Sequence, residues 1–435
     1  MRAALGAPDT PPNPPLAASR RECPLLCSPY DESGARTGTR GAGMGTRVRT
    51  PHVTHATVRT VVTALALALA LSTTALTGCA TEAPDAESPS TTASATPTPT
   101  PTALTASEQL LADNADIEGA CAVSFVLDGA TLDPQLQVQD RLYDRLPIPR
   151  QDGRAFARWY ADEAGASSAS ADPASVAGNP AVRVNGSDLV ACTDQQVTLY
   201  GAWTTPDAVA AVGARVPILM YHQFTDKPEG ESGWLRGNYS YIEDYRASMQ
   251  YIKDQAFYLP TWDELSAFID GALYLPDHAV IVTDDDADPT WLTMAAPINE
   301  ELQVMATSFD ITLDGAAQQN RFILPRSHTY AMHTAGANGQ GQMVNLSPEE
   351  IAADMTASAA ELEKVGVSPE AAHEIMAYPF GHNDERSHEG LTQAGFGMAR
   401  TIEQGYVKVG SDKLALPCVR INYGMGVADV KKLIG

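Results

Sequence analysis

From Val216 onward, short apolar runs alternate with stretches of helical period. "VPILMYH", "HAVIVTDD", "QVMATSFDI", "FILPRSH", "EIMAYPFG" and "FGMARTI" read as buried strands, and "YIEDYRASMQYIKDQ" and "WDELSAFIDG" as helices between them. A third helix is announced by "SPEE", Ser347 to Glu350, a capping box with proline at the first helical position. Ile351, Met355, Ala359 and Leu362 then follow on one face. Strand and helix in turn over about 200 residues predict an α/β fold of parallel strands with crossover helices, closed as a barrel or open as a sheet. This region is taken as 214–435.

The pattern before it differs. Between 107 and 213, "VLDGATL" and "RVNGSDL" each place Asp-Gly or Asn-Gly between apolar positions, a hairpin signal, and "RAFARWYADEAG" reads as a helix. A small β-rich accessory domain is expected there. Residues 80–106 are rich in Thr, Ser and Pro, which build no core and keep the chain extended, so they predict a tether.

The N-terminal pattern is that of a targeting segment. A basic stretch from Arg47 to Arg59 precedes "VVTALALALALSTTAL", which is too short for a comfortable membrane span and right for a signal h-region. It ends in "LTGC", and Leu76 to Cys79 resemble the lipobox of bacterial lipoproteins, which implies a signal peptide over 44–79 and lipidation of Cys79. The expected location is then extracytoplasmic, lipid-anchored to the bacterial cell membrane. Residues 1–43 have no apolar periodicity and read as an over-extended start, so Cys23 and Cys27 are not taken as a metal site. Of the remaining cysteines, Cys121 and Cys192 are the expected disulfide, both lying in one small segment of a chain outside the cytoplasm. Cys418 reads as a buried apolar residue of the last strand.

Charge narrows the partners. The formal net charge is −24, which argues against nucleic acid, since phosphate binding needs a basic face that releases counterions. A tethered monomer is the simplest arrangement.

Four of the predicted strands end in polar groups: Tyr221 and His222, the triple aspartate Asp284, Asp285 and Asp286, Ser327 and His328, and Tyr378 to Gly381. In a parallel barrel such strand ends share one rim. His328 and His333 stand five residues apart, a spacing that does not stack both rings on one helical face and needs a loop or turn to bring them to one transition metal.

The order of "VPILMYH", "VIVTDDDAD", "SHTYAMH" and "AYPFGHND" resembles the polysaccharide deacetylases, metal-dependent enzymes that remove N-acetyl groups from amino-sugar polymers on a distorted (β/α) barrel. The resemblance covers about 216–435. It implies Asp285 as catalytic base and Asp286, His328 and His333 as ligands of a divalent metal. Zinc is the default ion, with nickel, cobalt or iron suiting the same ligands. The histidine spacing and the "MYH" motif are similar to the branch acting on poly-β-1,6-N-acetylglucosamine, which implies His222 as general acid. The same resemblance places Tyr378, Pro379, Phe380 and Gly381 in the substrate pocket, with a backbone N–H for the oxyanion. An N-acetylated polysaccharide is the implied substrate.

Two positions depart from the family pattern. Asp284 stands where the family has phenylalanine, and strand alternation points it away from Asp285 into the barrel wall, where an unpaired carboxylate is costly. Ala287 replaces a glycine, which adds a methyl group beside the site or strains the turn. These departures keep open an alternative: a catalytically inactive, lipid-anchored carbohydrate-binding protein on the same fold. Trp234 and Trp291 are candidate sugar-stacking platforms, with partly buried packing the competing explanation for each.

Overall fold

The computed structural model describes residues 103–143, 145–177 and 179–435. The signal segment, Cys79 and most of the tether therefore lie outside the described residues. Among those described, no helix is long and apolar enough to cross a membrane.

The first region carries β1 (Ala120–Leu127), β2 (Ala130–Val138), β3 (Ala155–Tyr160), β4 (Arg183–Val184) and β5 (Gln196–Thr204). They form one sheet in the order β2-β1-β5-β3-β4. The Asp128-Gly129 turn between β1 and β2 takes positive φ at both positions, as a tight hairpin turn of matching twist requires. A disulfide joins Cys121 to Cys192.

Two local expectations fail here. "RAFARWY" forms strand β3, not a helix, and the helix begins only at Glu163 behind the cap of Asp162. All six residues of β3, Arg158 included, are buried, so both faces are covered and the strand shows no alternation that would distinguish it from a helix. "RVNGSDL" is no hairpin either. Asn185 turns the chain onto the neighbouring region, its amide donating to Leu259 O at 3.0 Å, while Leu189 pairs with Leu142.

The second region begins with β6 (Ile218–Tyr221), β7 (Gln223–Thr225) and β8 (Tyr239–Tyr241). It continues with β9 (Ile281–Asp286), β10 (Ala306–Asp310), β11 (Ile323–Ser327), β12 (Ile375–Ala377), β13 (Met398–Gln404) and β14 (Leu416–Arg420). Seven of these close a parallel barrel, β10-β11-β12-β13-β14-β6-β9, in which β14 pairs with β6. β7 and β8 form a separate two-stranded ribbon. The helix Pro348–Lys364 carries the expected capping box and buries Ile351, Met355, Ala359 and Leu362. Cys418 is buried on β14.

Ile218, Met220, Phe309, Ala377, Met398, Leu416 and Cys418 share one core with Phe125, Phe156, Trp159 and Trp203 of the first sheet. Phe156 exchanges backbone hydrogen bonds with Ala272 and Tyr274, which precede β9. The sheet therefore docks at the N-terminal end of the barrel, opposite the rim where the polar strand ends collect.

Burial at this junction includes charge. The Arg158 guanidinium lies 4.1 Å from the Tyr258 ring, and the Tyr258 hydroxyl donates to Glu264 at 2.6 Å. Burial pushes the Glu264 carboxyl up from 4.5 to about 7, with Tyr258 opposing. The folded state thus holds a proton that the unfolded chain releases above about pH 4.5. Stability should therefore fall as pH rises through 4.5 to 7, by on the order of 3 kcal/mol from this group. Denaturant midpoints at pH 5 and pH 8 check this, and Glu264→Gln should flatten the difference.

Candidate metal centre and active site

β9 delivers the aspartates. Asp285 faces the barrel mouth, and alternation alone would turn Asp286 to the opposite face. The backbone prevents that: Asp286 (φ 79°) and Ala287 (φ 50°) both enter the left-handed region, so the chain turns over the rim and presents successive carboxylates to one space. Asp284 points outward as expected. It is fully buried, and neither carboxylate oxygen has a hydrogen-bond partner among the described residues. Burial, followed by the charges of Asp285 and Asp286, pushes its pKa well above the ordinary carboxylate value, which favours the neutral acid.

β11 delivers the histidines. His328 follows the strand end and His333 returns after a turn in which Thr329 takes φ 75°. That turn is held by Asp354 of the helix Pro348–Lys364, whose two carboxylate oxygens accept the N–H groups of Tyr330 at 2.7 Å and Ala331 at 2.9 Å. The i, i+5 pair needs such a turn, and Asp354 is the residue that shapes it. Nothing in the helical pattern distinguishes it from a solvated carboxylate.

The ligand atoms of Asp286, His328 and His333 lie within 4.8 Å of one another. His328 Nε2 and His333 Nε2 are 3.3 and 3.2 Å from Asp286 Oδ1, yet no well-aligned hydrogen bond reaches that buried oxygen. His328 Nδ1 lies 2.9 Å from Ala377 O. A carbonyl only accepts, so Nδ1 carries a proton, and in the neutral imidazole the Nε2 lone pair faces Asp286. An orphaned carboxylate oxygen facing an imidazole lone pair is a donor set that fits a divalent cation. Burial raises the Asp286 pKa, but where the two histidines carry charge they outweigh it and hold the carboxyl well below its usual range.

Asp285 has a different environment. Arg400 on β13, wholly buried, pairs with one carboxylate oxygen, and His222 Nε2 lies 3.9 Å from the other. Burial alone would raise the Asp285 pKa, but Arg400, then His222, bring it below 3.8. It is ionised at neutral pH. Burial lowers the His222 pKa, partly countered by Asp285.

Of the four residues Tyr378 to Gly381, Phe380 is the one beside the metal-site histidines, its ring centroid 4.8 Å from that of His333. The Tyr378 side chain is buried with Met355 and Met376 and donates to Leu414 O; Pro379 is buried as well. The Tyr378 N–H donates to Arg400 O and the Gly381 N–H to Tyr378 O, which leaves Phe380 as the backbone donor of this stretch. Gly381 (φ 74°) packs against Ile402, where a Cβ would come within 2.3 Å.

The family model described as polysaccharide deacetylase matches residues 274–399. The match includes Asp285, Asp286, His328, His333 and Phe380, while His222 and Arg400 stand outside it and join the site through β6 and β13. Among solved structures, the chain is similar to a polysaccharide deacetylase from Bacillus cereus (19% identity, 56% of this chain and 74% of that one, TM-score 0.44). It is also similar to the deacetylase PplD from Streptococcus pyogenes in complex with acetate (21%, 51% and 99%, 0.43), and to IcaB from Ammonifex degensii (19%, 51% and 97%, 0.42). No curated protein sequence matches the chain.

The Ala287 departure has a measurable cost. A Cβ in the left-handed region meets the following carbonyl oxygen, a strain that glycine escapes. Ala287→Gly should raise unfolding stability by about 1 kcal/mol, read from the denaturant midpoint at unchanged slope. The Asp284 carboxyl, by contrast, faces away from the metal-site residues and does not obstruct them.

Proposed function

We propose that the protein is a metal-dependent hydrolase that removes N-acetyl groups from an N-acetylglucosamine-containing polysaccharide at the bacterial cell surface, releasing acetate. The observation that carries this reading is the convergence of Asp286, His328 and His333 next to an arginine-paired Asp285 and His222.

Asp286, His328 and His333 would hold the divalent ion, zinc by default and nickel, cobalt or iron on the same ligands. Such an ion supplies Lewis acidity toward the acetamide carbonyl and acidifies a water. Asp285, kept ionised by Arg400, accepts the proton of the attacking water. His222, as imidazolium, gives a proton to the amide nitrogen, so that it leaves as a neutral amine. Burial makes that imidazolium a stronger acid than free histidine. The Phe380 N–H is the donor for the oxyanion. Cys79 would carry the lipid and residues 80–106 would hold the folded part off the membrane, with 107–213 as an accessory domain behind the barrel.

Ala287 and Asp284 favour a second reading, a carbohydrate-binding protein without turnover. Against it, the acid, the base and the three ligands are all retained, and neither departure replaces one of them. Acetate release from β-1,6- and β-1,4-linked N-acetylglucosamine oligomers separates the two. Release should be lost on chelation and restored by zinc. Absence of release from every oligomer by zinc-loaded protein would establish the binding reading.

A further inference from the structure

The three metal-site side chains are held in unequal ways. Asp286 is fixed by β9 and the turn that follows it. His328 is 2% exposed, its N–H donates to Asp310 O at 2.8 Å and its ring to Ala377 O at 2.9 Å, so β10 and β12 secure both its backbone and its side chain. His333 has neither support. It belongs to no strand or helix, its side chain is 25% exposed, and among the described residues its ring has no hydrogen-bond or ion-pair partner other than Asp286. Its place therefore depends on the backbone of residues 329–332, which form no regular secondary structure.

All four N–H groups of that segment are nevertheless satisfied, each by a side chain. Thr329 donates to Ser327 Oγ at 3.0 Å, Tyr330 and Ala331 to the two oxygens of Asp354 at 2.7 and 2.9 Å, and Met332 to Thr329 Oγ1 at 3.2 Å. Ser327 Oγ is in turn 2.7 Å from Ser358 Oγ. Ser327, Thr329 and Ser358 are wholly buried, where no bulk water takes the place of a lost partner. Asp354 and Ser358 stand four residues apart, on one face of the helix Pro348–Lys364, so the helix grips the loop at two points one turn apart. No lysine or arginine among the described residues bears on Asp354; its carboxylate serves the two N–H groups, the stronger, charge-assisted kind of hydrogen bond. The helix itself gives no reason for an aspartate in its middle, since alanine would suit it better. The loop does.

We propose that Asp354, seconded by Ser358, is a positioning residue of the metal centre: it holds 329–332 in the ligating shape before any ion binds, so that His333 meets the cation already in place. The consequence is for affinity. A loop that must order as the ion binds gives up part of the binding free energy to lost conformational freedom, and a loop ordered in advance does not. The proposal rests on the metal-site reading of Asp286, His328 and His333.

The test is zinc affinity, measured by competition with a chromophoric chelator, in the unaltered protein and in Asp354→Ala, Asp354→Asn, Ser358→Ala and, as a control on the exposed side of the same helix, Thr356→Ala. Thermal midpoints of the metal-free proteins are recorded alongside. Asp354→Ala should weaken Kd for zinc about ten- to a hundredfold, the scale of losing a partner that orients a metal ligand. Asp354→Asn keeps one acceptor oxygen and should fall between alanine and the unaltered protein; it decides the matter if the alanine variant does not fold. Ser358→Ala should weaken Kd by a smaller factor and Thr356→Ala should leave it unchanged. A lowered metal-free midpoint with zinc affinity intact in both Asp354 variants would overturn the proposal and make Asp354 a stabilising residue alone. Equal weakening by Thr356→Ala would also overturn it, because the effect would then belong to the helix as a whole. Failure of the unaltered protein to take up zinc, cobalt or nickel would instead remove the metal-site reading, and the proposal with it.

Discussion

On the deacetylase reading, replacing Asp285 with asparagine should lower kcat/KM for acetate release by about a thousandfold, the usual worth of a positioned general base. The amide keeps the shape of the side chain and removes its capacity to accept a proton at neutral pH. It does not touch Asp286, His328 or His333, so zinc content measured on the purified variant should stay at one ion per chain. That combination, metal retained and turnover lost, assigns Asp285 to proton transfer. A variant that lost both together would instead place Asp285 among the ligands.

The second large effect is expected at Arg400. Its guanidinium is wholly buried and pairs with Asp285, and it also reaches Thr401 O at 3.2 Å and the Met220 sulfur at 2.9 Å. Arg400→Met fills a similar volume but strands a buried carboxylate, which costs about 3–5 kcal/mol when a buried pair is broken from one side. The sign for catalysis follows from the same balance. Burial raises the Asp285 pKa and Arg400 is the largest influence lowering it, so without the guanidinium the pKa moves up. The acid limb of kcat/KM should then shift to higher pH, and part of the neutral-pH loss should be recovered in alkaline buffer. A loss of activity with the pH profile unmoved would mean that Arg400 acts through folding alone.

How much of this was legible in the chain can be argued residue by residue. The triple aspartate after an apolar run, the i, i+5 histidines and the "MYH" strand end all carry their signals within ten residues, and the structure brings Asp285, Asp286, His328, His333 and His222 to one rim. Arg400 carried no such signal. Its partner lies 115 positions earlier, and an arginine inside "GMARTI" is indistinguishable from one that ends a strand in water. Asp354 was equally silent, because its role is to cap two N–H groups of a loop more than twenty residues away.

Local periodicity was enough for the alternation of strand and helix from Val216 onward, the capping box at Ser347 and the Asp128-Gly129 hairpin. Each depends on neighbours within a turn or a pleat. It failed for β3, where burial on both faces erased the alternation, and it could not separate Trp234, 77% exposed, from the buried Trp291, since exposure belongs to the packing around a side chain. The closure of β14 on β6, the left-handed turn that lets Asp285 and Asp286 share one space, and the pairing of Arg400 with the base were decided by tertiary structure. They are contacts between groups far apart along the chain, and their energies arise only when folding removes those groups from water together.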